Sequence, residues 1–158
     1  MLNQPRRLLL TVALVAALIA GASNVARAST LTPGDKSAFL KEAAVTYFNS
    51  LTPSANMVGA DELRRALEAK KTEVFLLDIR PVDEFQQKHI AGFVNIPFTA
   101  LGKHLDKLPT DRPIMVVCHT GQKSGQVVGV LRVAGYDAIS IRGGYPALEA
   151  AFRGGREG

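Results

Sequence analysis
The residues able to do chemistry gather in one short segment. This is Ile114-Met115-Val116-Val117-Cys118-His119-Thr120-Gly121-Gln122-Lys123-Ser124-Gly125, and it holds the only cysteine of the 158-residue chain. An apolar run enters the segment, and a second, Gln126 to Leu131, leaves it with helical character. A thiol set between a buried strand and a helix start meets the inward-facing N–H groups of a tight loop and the positive end of a helix, and both favour the thiolate. Lys123, and His119 if its ring turns inward, add positive charge. The plainer alternative is a thiol packed as a small hydrophobe at a strand end. The polar sequel His-Thr-Gly-Gln-Lys-Ser argues for the nucleophile. Cys118 is therefore the candidate catalytic residue, and His119, Thr120, Gly121, Gln122, Lys123 and Ser124 are the candidate anion-binding loop.

Other readings of the segment fail on spacing. Gln122 follows Gly121 where a Walker A loop needs lysine. One cysteine makes no CxxC couple, and the scattered His89, His104 and His119 form no metal-ligand pattern. No metal and no cofactor is expected. A cysteine phosphatase loop would need an arginine six positions after the cysteine, and Ser124 stands there, so the clamp for equatorial phosphate oxygens is missing.

An α/β chain is expected to position this loop. The runs Val74 to Leu77 and Ile114 to Val117 are continuously apolar rather than alternating, as strands become when helices cover both faces. Ala138 to Ile141 is a third strand, with shorter ones at Phe93 to Ile96 and Met57-Val58. Helical stretches fall at Glu62 to Lys70, Pro81 to Gln87, Ala100 to Asp106 and Gly125 to Ala134. The alternation implies a largely parallel sheet between two helical layers, with Cys118 at the carboxyl edge where such sheets bind ligands. Ahead of this domain, Ser29 to Asp35 is a polar leader and Lys36 to Asn49 an amphipathic helix. Its Phe39 and Phe48 face is expected to pack on the domain, with partner docking the lesser reading. Residues 154–158 are expected to be a flexible tail.

The first 28 residues read as a signal peptide: Arg6 and Arg7, an apolar run from Leu8 to Ala20, then Ala26-Arg27-Ala28 before the expected cut. The run is shorter than the ~20 apolar residues that span a bilayer, which disfavours an uncleaved anchor. The pair of arginines lacks a twin-arginine context, so ordinary Sec export to the periplasm or outside is expected, with no membrane association after cleavage. Cleavage removes Arg6, Arg7 and Arg27 and no acid, leaving 16 basic against 14 acidic residues. That balance, without a basic stripe carrying aromatics, gives no reason to expect nucleic acid. No oligomeric state follows from it. An exported chain with one cysteine forms no internal disulfide, so its thiol is either buried or used.

Two segments together resemble the rhodanese-like sulfurtransferase family. One is Leu76-Leu77-Asp78-Ile79-Arg80-Pro81-Val82-Asp83-Glu84-Phe85 with Lys88-His89-Ile90-Ala91-Gly92-Phe93-Val94-Asn95-Ile96-Pro97; the other is the Cys118 to Ser124 loop, with Gly143-Gly144-Tyr145 later. The resemblance runs from about Met57 to Phe152 and implies a rhodanese-like domain over residues 57–153. It further implies a three-layer α/β/α fold, a five-stranded parallel sheet, and a catalytic cysteine opening a six-residue loop. On that resemblance Cys118 is the persulfide-forming nucleophile, His119 to Lys123 hold the anion, and Ser124 leads into the helix. His119 and Lys123 stand where many active members carry arginine, and lysine lacks the guanidinium fork for an oxyanion.

Asp78, Glu84 and His89 are read as ion pairs and caps between loops, whereas Arg80, leaving a strand on the Cys118 side, is a substrate-binding candidate. The expected activity is sulfur transfer from a small anionic, thiosulfate-like donor to a thiol or cyanide-like acceptor through a Cys118 persulfide. The alternative is a non-catalytic sulfide or persulfide carrier, or a partner-binding module of the same fold.

Overall fold
Apolar runs without alternation need cover on both faces, and the sheet they build has it. The computed structural model describes residues 32–54, 56–70 and 73–154, so the expected signal peptide over 1–28 and residues 155–158 of the expected tail lie outside the described residues. The sheet and its helices fall within residues 44–158. Strands β1 (Met57–Val58), β2 (Phe75–Asp78), β3 (Val94–Asn95), β4 (Ile114–Val117) and β5 (Ala138–Ile141) lie in the order β1-β5-β4-β2-β3. Every pairing is parallel, with Leu77 against Val116 and Asp78 against Val117 in the central pair. This is the five-stranded parallel sheet that the resemblance implies.

The pleat of β4 divides its side chains between two cores. Ile114, Val116 and Cys118 face Leu77, Leu101, Val127, Val128 and Leu131, which brings in helix α4 (Gln122–Val133). Met115 and Val117 face Leu63, Ile141 and Leu148 on the other side, beneath helices α2 (Ala60–Glu68) and α5 (Gly144–Gly154). All four residues of β4 are buried, so the end of the strand is fixed from both faces. Helix α3 (Val82–Gln87) carries the chain from β2 toward β3, and two 3₁₀ segments, Phe98–Lys103 and Leu105–Lys107, lead on toward β4.

Several boundaries differ from those expected. The helix ahead of the sheet, α1, spans Pro33–Asn49 and starts three residues earlier than expected. Thr32 and Asp35 cap it reciprocally: the Asp35 N–H donates to Thr32 Oγ1 at 3.2 Å, and the Thr32 N–H donates to Asp35 Oδ2 at 3.0 Å. Pro33 then occupies the first helical position, where its missing N–H costs nothing. Residues 32–35 of the expected leader are thus a helix start, and residues 29–31 lie outside the described residues. No residue of α1 is buried, and Phe39 and Phe48 are 64% and 67% exposed. Periodicity marks an apolar stripe but not what covers it. The stretch expected as a helix over Ala100 to Asp106 is broken at His104, where φ is −127°. Helix α5 was not anticipated, since it opens on Gly144 with Pro146 in its first turn, and it takes Gly154 from the expected tail. Among the described residues no helix is long and apolar enough to cross a membrane.

Candidate active site
The site is built by the turn between β4 and α4. Gly121 adopts a left-handed conformation, φ 96°, which turns the chain sharply enough for α4 to begin at Gln122, three residues before the expected Gly125. Ser124 is consequently the third residue of the helix, and its backbone N–H, one of the donors a helix start leaves without a carbonyl, points back at the cysteine. The Ser124 N–H donates to Cys118 Sγ at 3.3 Å and the Gly121 N–H donates at 3.1 Å. The thiol in turn donates to Ser124 Oγ at 3.5 Å. Ser124 Oγ lies 2.8 Å from Ser140 Oγ on β5 and donates to the Gly121 carbonyl at 3.0 Å. When the thiol loses its proton, the Ser124 hydroxyl can turn its hydrogen to sulfur while Ser140 remains at its other side.

These contacts decide the acidity of Cys118. Burial pushes the thiol up, since a charge in a poorly solvated place is disfavoured. The Ser124 hydroxyl and the amides of Ser124, Gly121 and Thr120 act the other way and together outweigh burial, so the thiol lies below its ordinary value. The donors thus favour the thiolate form of a sulfur whose residue is only 2% exposed. A nucleophile is therefore prepared without a general base beside it.

A second approach holds the loop from behind. Gly144, φ 66°, packs so tightly beneath the loop that a Cβ there would fall 2.4 Å from the His119 carbonyl oxygen and 2.8 Å from that of Cys118. The next residue, Tyr145, donates its N–H to the Cys118 carbonyl at 2.8 Å. The β5–α5 turn thus sets the height of the loop.

In front of the sulfur is a cleft of about 120 Å³. The structure brings six of the expected site residues to it, namely Arg80, Cys118, His119, Thr120, Gln122 and Lys123. Gly121 and Ser124 hold the sulfur from the loop side. Thr120 contributes its amide, while its side chain, like those of Gln122 and Lys123, is exposed. Lys123 Nζ sits 5.9 Å from the centre of the Phe98 ring, within cation–π range.

Arg80 reaches the cleft with most of its donors engaged. Its Nε donates to both Asp78 carboxylate oxygens, at 3.1 and 2.9 Å, and Nη2 donates to Asp78 Oδ2 at 2.7 Å and to the Lys88 carbonyl at 2.9 Å. Its guanidinium carbon lies 3.5 Å from the centre of the Tyr145 ring. Both members of the pair are buried, Asp78 at 1% and Arg80 at 5% exposure, which fits the pairing read for Asp78. His89 Nδ1 lies 3.0 Å from the Phe85 carbonyl, four residues back, with its ring stacked on Phe85.

Two site residues were not singled out from the sequence. Ser140 backs Ser124, and the signal for it was a serine inside the otherwise apolar β5. Glu84 was read only as structural, yet it lines the cleft with Oε2 3.6 Å from His119 Nδ1. Nothing in a linear pattern brings α3 opposite the loop.

A buried parallel strand delivering a loop-held cysteine of lowered pKa to the sheet's carboxyl edge defines an α/β domain equipped for nucleophilic sulfur chemistry. A family model described as the rhodanese-like domain matches residues 59–151, more than half of the chain, and the protein belongs to that family. Over 71 residues it is 34% identical to the uncharacterized protein YqhL of Bacillus subtilis, covering 44% of this chain and 56% of that protein. It is 27% identical over 82 residues to the thiosulfate sulfurtransferase GlpE of Coxiella burnetii, covering 51% of this chain and 77% of that protein. A crystal structure of a rhodanese-like domain protein from Staphylococcus aureus superposes with a TM-score of 0.56 at 27% identity, covering 59% of this chain and 90% of that one.

Proposed function
We propose that this protein is a sulfurtransferase in which the Cys118 thiolate takes the outer sulfur of a small anionic, thiosulfate-like donor. A thiol or cyanide-like acceptor then removes that sulfur from the Cys118 persulfide. The observation that carries the reading is the pair of amide donors on Sγ, 3.1 Å from Gly121 and 3.3 Å from Ser124, with the Ser124 hydroxyl beside them. Donors arranged around a single sulfur stabilise charge both on the thiolate and on the persulfide that replaces it. The Gln122 and Lys123 amides, the first two of α4, and the Lys123 ammonium are placed to meet the rest of the donor.

Steady-state transfer from thiosulfate or a mercapto-acid to cyanide, read as thiocyanate, tests the proposal. The expected result is turnover by the native protein and none by Cys118→Ser; equal turnover by both would end it. A second reading is favoured by the 2% exposure of Cys118 and by the commitment of Arg80 to Asp78. In it the domain loads sulfur and holds it as a carrier, so that an adduct forms without turnover.

We also propose export, on the basic, apolar and small-residue order of residues 1–28. The mass of the protein recovered from an exporting host should correspond to a chain beginning at Ser29. An intact N-terminus in a cytoplasmic fraction would contradict this.

A further inference from the structure
Strand β5, Ala138-Ile139-Ser140-Ile141, holds a single polar side chain, and that side chain is buried: Ser140 is 2% exposed. A hydroxyl set in an apolar strand costs free energy unless its hydrogen finds an acceptor. Parallel pairing sets Ser140 against Val116 of β4, and the pleat puts Cys118, two residues further on, on the same face. There Ser140 Oγ lies 2.8 Å from Ser124 Oγ, its one side-chain partner among the described residues. Either oxygen could donate across that distance, but the hydrogens present decide the direction. Ser124 has one hydroxyl hydrogen and another acceptor for it, the Gly121 carbonyl at 3.0 Å. Ser140 has one hydroxyl hydrogen and, among the described residues, only Ser124 Oγ to receive it. Were Ser124 to donate to Ser140, the Ser140 hydrogen would be buried without an acceptor. Ser140 is therefore the donor and Ser124 Oγ the acceptor.

We infer that Ser140 is a positioning residue for the Cys118 sulfur: by donating to Ser124 Oγ it holds the Ser124 hydroxyl as a rotor whose single hydrogen turns between the Gly121 carbonyl and Sγ. The inference rests on the sulfur-transfer reading above for what the sulfur does, and adds the device that readies it. With the thiol protonated, its S–H donates to Ser124 Oγ at 3.5 Å while the Ser124 hydrogen goes to Gly121. When the thiol proton leaves to solvent, the Ser124 O–H turns to Sγ and the bond from Ser140 stays as it was. Ser140 favours this second arrangement in two ways. An oxygen that accepts a hydrogen bond donates its own hydrogen more strongly, so the Ser124 hydroxyl is polarised toward the thiolate. The same oxygen, already accepting from Ser140, is a poorer acceptor for the S–H of the thiol. Ser140 makes no hydrogen bond to Sγ among the described residues, so its effect passes through Ser124. Once Sγ carries a second sulfur, the charge moves to that outer atom and the Ser124 hydrogen is free to return to Gly121.

The test is the midpoint of the pH–alkylation profile of Cys118 with iodoacetamide, measured for the native protein, Ser140→Ala, Ser124→Ala, the double variant and Val128→Ala. Ser140→Ala removes one oxygen and leaves the apolar packing of β5 in place. Loss of the bond that polarises Ser124 should move the midpoint upward, so that the thiolate fraction at neutral pH falls about two- to threefold, less than in Ser124→Ala. On the Ser124→Ala background the second substitution should add nothing, because the hydroxyl through which Ser140 acts is gone. Val128→Ala loosens the core cluster that contains Cys118 without touching a hydroxyl, and should keep the native midpoint. An unmoved or lowered midpoint in Ser140→Ala, an equal further shift in the double variant, or the same shift in Val128→Ala overturns the role of Ser140. Alkylation needs no sulfur donor, so these outcomes judge Ser140 alone. If thiosulfate or a mercapto-acid places no sulfur on Cys118 of the native protein, it is the sulfur-transfer reading that fails.

Discussion
Asp78 closes β2 and Cys118 follows β4, on adjacent strands whose ends are in register, Asp78 against Val117. Both positions are nearly sealed from solvent, at 1% and 2% exposure, and both hold an acidic group. Their compensation differs. Asp78 faces a full positive charge, the Arg80 guanidinium, through four contacts that include the Arg80 backbone N–H at 2.9 Å. Cys118 faces neutral groups only: two amides that donate to Sγ and a hydroxyl that accepts from the thiol. A full charge neutralises its partner and leaves neither free for a ligand. Oriented dipoles hold a charge in place yet leave the atom bearing it able to form a bond. The same strand edge thus carries a brace and a reactive group, and the kind of compensation separates them.

The largest way to break this contrast is at the brace. Asp78→Ala leaves the Arg80 guanidinium buried without a counter-charge, and loss of about 3–5 kcal/mol is expected from urea unfolding. A loss within experimental error would mean that the pair is not what holds the β2 end. Next comes the support beneath the loop. Gly144→Ala combines a φ of 66° with a Cβ 2.4 Å from the His119 carbonyl oxygen, so either the loop or α5 must shift. About 2–3 kcal/mol of stability should be lost, with slower sulfur loading of the folded fraction. Unchanged loading would show that the β5–α5 turn does not set the loop.

Ser124→Ala sharpens the other half of the contrast. It removes the hydroxyl on Sγ and strands Ser140, at a cost of about 1–2 kcal/mol. The hydroxyl lowers the thiol's pKa, so its removal should move the midpoint of the pH–alkylation profile upward. The sign for stability follows. A thiol lowered in the folded state stabilises the fold fully above its unfolded value of about 8.5, and that contribution fades as pH falls through the folded value. The variant should therefore lose more stability at alkaline than at neutral pH, and a pH-independent difference would show that the hydroxyl acts only in packing. The smallest effect belongs to Thr120→Ala. Only the backbone amide of this exposed residue faces the sulfur, and stability should change by less than about 0.5 kcal/mol with the alkylation profile unmoved.

The sequence made the catalytic half of this contrast more legible than the supporting half. The unbroken apolar run of β4 announced a strand covered on both faces, and the polar residues after Cys118 announced a loop and helix start. Those are local signals, and the sheet, its direction and the loop's place at its edge followed from them. Helix boundaries were less readable, because the early start of α4 depends on the left-handed Gly121, and α5 begins with residues that usually end helices. What the sequence could not convey was contact between distant segments. Ser140 meets Ser124 across 16 positions and Glu84 meets His119 across the cleft, through the packing of β5 and α3. Arg80 shows the opposite case, a residue whose position on the sheet edge suggested ligand binding and whose guanidinium is instead largely taken up by Asp78, Lys88 and Tyr145.

The central claim, that the dipole-held sulfur of Cys118 is the atom that accepts sulfur, is tested most directly by intact mass of the reduced protein after brief exposure to a sulfane-sulfur donor and again after cyanide. The account predicts a gain of one sulfur atom, placed on the peptide containing Cys118, absent from Cys118→Ser and removed by cyanide. An unchanged mass in a folded protein whose Cys118 still alkylates, with both thiosulfate and methanethiosulfonate as donors, would contradict it.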